Sequence, residues 1–85
     1  MAPFAPEVEE GLLELGIRPR DDTDPAVLRE LLNAWYVFEI RQARLARREA
    51  EEVFGPQPIA PYRRRIEALR RKYWLLGLSL HRWYS

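Results

Sequence analysis

Cysteine is absent from the 85-residue chain, so neither a disulfide nor a thiolate metal site holds the fold together. Histidine occurs once, at position 81. With a single imidazole, no cysteine, no glycine-rich phosphate loop and no serine triad, the usual enzymatic constellations are missing. The residues therefore suggest no catalytic role, cofactor or metal. Long apolar runs are missing as well. The longest, residues 74–78, is far shorter than a bilayer span, so a membrane role is disfavoured. Residues 1–10 are acidic and contain proline, unlike a signal peptide. The expected location is cytoplasmic.

What is present suits a folded chain. Apolar residues make up 47% of the sequence and aromatics 12%, which separates it from disordered chains of similar charge. Eighty-five residues make one domain, 1–85, near the lower size limit for a self-sufficient core. The net charge of +1 conceals a split. Residues 1–40 carry nine acidic and three basic side chains, and residues 41–85 carry eleven basic and four acidic ones.

The breakers and caps predict an all-α fold. Val8, Leu12 and Leu15 lie at helical spacing and Gly16 closes that segment, so residues 1–23 read as a short helix and loop with an extended start at Pro3. Asp24 followed by Pro25 is a capping carboxylate with proline at the first helical position. No breaker follows until Gly55, predicting a long helix over about 25–54, roughly 45 Å in length. Gly55, Pro56 and Pro58 make a turn over 55–60. Pro61 then opens a second long helix reaching about residue 83, within the segment 61–85.

Two apolar stripes suggest how these helices meet. Tyr62, Ile66, Leu69, Tyr73, Leu76, Leu80 and Trp83 alternate steps of four and three, the spacing of a coiled-coil seam. The first long helix carries a matching but weaker stripe, Leu28, Leu31, Trp35, Phe38, Gln42 and Leu45, then Glu49 and Val53. If the chain folds back at the turn, both stripes fall into one register. Val53 then faces Tyr62, Gln42 faces Tyr73, Phe38 faces Leu76 and Trp35 faces Leu80. The predicted architecture is an antiparallel two-helix hairpin with a short N-terminal helix.

The seam leaves apolar residues over. Leu32, Tyr36, Val37 and Ile40 on the first long helix lie off it, as do Trp74, Leu75 and Leu78 on the second. Helices that are apolar on every side must be covered on every side. The leading expectation is therefore a non-enzymatic protein–protein interaction module that self-associates, most simply as a homodimer, through these seven residues at the end carrying the termini. An unidentified protein partner is the variant of that expectation. Gly77, read as mid-helix, would mark a close backbone contact there.

The other end is charged. Arg47–Glu51, Arg48–Glu52, Arg63–Glu67 and Glu67–Arg71 are four residues apart and mutually supportive. Around the middle of the hairpin, Arg41, Arg44, Arg48, Arg70, Arg71 and Lys72 outnumber their counterions. The plainer reading is a solvated, salt-bridged surface. The alternative function is nucleic-acid binding through these six cations.

Overall fold

The computed structural model describes residues 4–84; the start at Pro3 lies outside them. The described residues are all-α, with three helices, and among them no helix is long and apolar enough to cross a membrane. Helix α1 spans Pro6–Glu14, α2 Pro25–Phe54 and α3 Ile59–Lys72. Two short 3₁₀ turns follow at Trp74–Gly77 and Leu80–Trp83.

Local chemistry sets the helix ends as the sequence predicts. Behind α1, the Gly16 amide donates to the Leu13 carbonyl at 2.9 Å and the Ile17 amide to the Leu12 carbonyl at 2.9 Å. This double return needs a left-handed residue, and Gly16 supplies it at φ 83°. The Asp24 carboxylate accepts from the Ala26 amide at 2.9 Å, satisfying one of the free donors of α2. Gly55, also at φ 83°, ends α2. α3 begins at Ile59 rather than Pro61. Pro61 falls in its first turn, where amides have no intrahelical partner and a missing N–H costs little.

The second long helix does not reach Trp83. α3 stops at Lys72, and Tyr73 leaves helical geometry at φ −105°, ψ 37°. On a straight helix Trp74, Leu75 and Leu78 would lie off the seam. Breaking the helix turns Leu75 and Trp83 inward, and each is 0% exposed. Trp83 is held by its indole N–H, which donates to the Leu75 carbonyl at 3.2 Å. Its own carbonyl accepts from the Ala5 amide at 2.8 Å, and Phe4 and Tyr84 pair in one antiparallel bridge. Burying two large side chains is favourable by roughly 1.5–3 kcal/mol each, which outweighs a helical turn weakened by Gly77. A Cβ at Gly77 would meet nothing within 4 Å, so the expected close contact at this glycine is absent within the described chain.

The core lies at the end carrying the termini. Phe4, Val8 and Leu12 from the first segment meet Leu28 and Leu32 of α2, with Leu75 and Trp83 closing over them. Gly11 makes room for this cover: a Cβ there would lie 3.0 Å from Trp74 Cζ2 and 3.3 Å from Leu75 Cδ1.

The α2 face turned to the rest of the chain is not the expected stripe. Phe38 is 61% exposed and Val53 72%, so neither faces Leu76 or Tyr62 as the predicted register requires. The contacts are instead Arg47 with Tyr62, Glu39 with Lys72 and Tyr73, and Arg29 with Leu76. Leu28, Leu32, Tyr36, Ile40 and Ala43 lie on the covered face of α2. That face is rotated by about one residue, or 100°, from the expected one. Ala43, 2% exposed, lies on this face, and with Ala46 and Ala50 farther along it borders a hollow of about 240 Å³ against Pro58, Pro61 and Tyr62. Tyrosine rings and arginine stems then fill the space that larger residues were expected to fill.

Candidate interaction surfaces

Two surfaces of α2 remain after the core is assembled. The first is the stripe that the sequence assigns to the seam. Leu31, Trp35, Phe38 and Leu45 keep their alternating spacing, and they point away from α3 at 41%, 38%, 61% and 46% exposure. Val27, 60% exposed, extends the stripe by one turn. These residues form an apolar ridge on a molecule measuring 54 × 19 × 18 Å.

The residues expected to form an interface divide. Leu32 and Leu75 are wholly buried within the one chain, which removes them from any outer surface. Tyr36, Ile40 and Leu78 are half-buried against the core. Val37 and Trp74 are exposed, though Trp74 leans on Gly11. The expectation failed at Leu32 and Leu75 because α1 and the folded-back C-terminal turns cover more than a short helix alone would.

The second surface is a groove between α2 and α3, of about 560 Å³. Arg41 and Arg44 border it from α2 and Arg70 from α3, with Tyr36, Tyr62 and Ile66 between them. Arg48 lies beside Arg44 and Tyr62 in an adjoining hollow that the Arg47–Glu51 pair also lines. Arg71 is exposed and lines none of these hollows. Lys72 is elsewhere, 3.2 Å from Glu39 and 5.4 Å above the Tyr73 ring. Of the intrahelical pairs expected from spacing, Arg47–Glu51 closes at 3.2 Å.

Between these surfaces sits a polar contact that spacing alone did not reveal. Tyr73 donates its hydroxyl to the Glu39 carboxylate, and the Tyr36 ring lies 5.5 Å from that of Tyr73 at 59°. Burial, then the Glu39 hydrogen bond and charge, push the Tyr73 phenol up to about 12. The same hydrogen bond, with Lys72 behind it, holds the Glu39 carboxyl below its ordinary range against partial desolvation. The polar layer was expected at Gln42, which is exposed. The available signal was that Glu39 shares a helical face with Tyr36 and Ala43, at spacings of three and four. Among the described residues no cluster of His, Asp and Glu could hold a metal ion. Compared with protein-family models, curated proteins and solved structures, the chain matches none.

Proposed function

We propose that the chain is a non-enzymatic helical interaction module that lays α2 and α3 antiparallel and pairs with a second copy through the outer face of α2. The observation that carries this reading is the row Leu31, Trp35, Phe38 and Leu45, exposed at coiled-coil spacing on a helix whose other face is already covered. The surface is therefore the outer flank of α2, which starts beside the core at Val27 and runs toward the turn as far as Leu45. Each such side chain left in water forgoes roughly 1.5–3 kcal/mol of burial. With Val27 they expose on the order of 400 Å² of side-chain area along one flank, in the range of surface patches that are often functional.

Charge argues for a second copy and sets its direction. Residues 4–40 and 73–84, at the end carrying the termini, hold nine carboxylates against four arginines. Residues 41–72, toward the turn, hold ten cations against four carboxylates. Two copies laid antiparallel along α2 set the acidic end of each beside the basic end of the other. A parallel pair would bring like ends together.

Light scattering after gel filtration is expected to give two chains per particle at tens of micromolar. Phe38→Ser is expected to give one chain with unchanged helix content. The lack of cysteine makes direction measurable. A mixture of Leu31→Cys and Leu45→Cys chains should form a mixed disulfide on oxidation, while Leu31→Cys alone should not link to itself. A wild-type monomer at about 100 µM would overturn the reading, and self-linked Leu31→Cys would overturn the antiparallel arrangement.

A further inference from the structure

We infer that the groove bordered by Arg41, Arg44 and Arg70 binds single-stranded nucleic acid, the three guanidinium groups taking phosphates and Tyr62 offering its ring to a base. The site goes beyond the self-association reading and is built within one chain, on a different side of α2 from the apolar ridge.

Three observations converge on it. The first is unspent charge. Arg47 and Lys72 have carboxylate partners at 3.2 Å, but among the described residues Arg41, Arg44 and Arg70 make no ion pair or hydrogen bond, although they share one groove. Cations gathered without counterions repel one another, and an anion placed among them relieves that repulsion. The second is the nature of the groove between them. Val37, Ile40 and Ile66 give it an apolar lining and Tyr36 and Tyr62 supply rings, so it suits a ligand with flat apolar faces as well as negative charge. Single strands present both, because their bases are unstacked and accessible; a duplex keeps its base faces inside.

The third is length. Tyr62 borders the main groove and also the two hollows that adjoin it. One runs past Arg48 and Glu51 and the other past Ile59, Arg63 and Glu67, so that cations outnumber carboxylates in each. The hollows thus form a track along the α2–α3 seam, with Arg44, Tyr62 and Arg70 recurring in it. A lone phosphate would need one convergent pocket. A track edged by arginines at one-turn spacing follows a polymer backbone.

The test is fluorescence anisotropy with labelled twelve-nucleotide oligo-U and oligo-dT, and with a twelve-base-pair duplex, across a salt series. The single strands are expected to bind at 50 mM salt, with log affinity falling against log salt at a slope of about −2, as three neutralised phosphates on a single strand require. Arg44→Ser with Arg70→Ser is expected to weaken binding at least about tenfold, the loss of two phosphate contacts. Arg64→Ser with Arg71→Ser removes the same charge from the α3 face turned away from the groove, and is expected to change affinity less than about threefold. Circular dichroism of both double variants checks that helix content is retained. No binding of either strand at 50 mM salt would overturn the proposal. So would equal loss in the two double variants, or a duplex bound as tightly as the strands.

Discussion

The two ends of this molecule are built on different principles. At the end carrying the termini, four segments converge and five large side chains, Val8, Leu12, Leu32, Leu75 and Trp83, are completely removed from water. At the turn, two helices meet over alanines, tyrosine rings and arginine stems, while Val53 and Phe54 stand 72% and 79% exposed. The first end contains most of the apolar burial that resists unfolding. The second keeps its side chains accessible, as binding surfaces require. The arginine-bordered groove is thus separated along α2 from most of the buried core. The ridge from Val27 to Phe38 runs beside that core on another face of the helix, so substitutions near the turn should leave the core intact.

That separation is open to test in order of expected effect. Trp83→Ala should be the most damaging, at about 3–5 kcal/mol in a urea titration, a large part of a small domain's total stability. A loss under about 1 kcal/mol would erase the contrast between the ends. Tyr73→Phe sharpens the boundary between them. Losing a hydrogen bond to a carboxylate should cost about 1.5 kcal/mol, and pH should report the same contact. The Tyr73 pKa is raised in the folded chain, so its contribution is fully present below about pH 10 and declines as pH climbs toward about 12. The Glu39 pKa is lowered, so its contribution is present above its ordinary value of 4.5 and fades as pH falls below that. Tyr73→Phe should flatten the alkaline limb of a stability–pH curve. Phe54→Ser should be nearly silent, within about 0.5 kcal/mol; a larger loss would mean that the turn shares in the core.

What the sequence made legible was local. The Asp24–Pro25 start, the Gly16 and Gly55 stops and three helices all follow from the chemistry of neighbouring residues. The direction in which α2 faces does not, because the helix is apolar on two sides. Spacing identified Leu31, Trp35, Phe38 and Leu45 as one stripe but assigned it to the seam, since large residues were expected inside. The residue buried on that face is instead the small Ala43, with Arg47 over the Tyr62 ring one turn on. The end of α3 was equally hidden. Periodicity runs on past Lys72, and the break depends on Leu75 and Trp83 finding α1, a contact distant in sequence. Of the candidate cations, the groove takes Arg41, Arg44 and Arg70. Lys72 could not be separated from them without knowing that Glu39 lies across the seam.

The hydrogen bond from the Ala5 amide to the Trp83 carbonyl also dictates when folding can finish. α1 is synthesised before the turns at residues 74–83, and it has no complete apolar partner until they follow it. A nascent chain lacking those turns carries Val8 and Leu12 uncovered, and closing so long a loop comes late in folding. The core end therefore closes only after residues 74–83 have been synthesised.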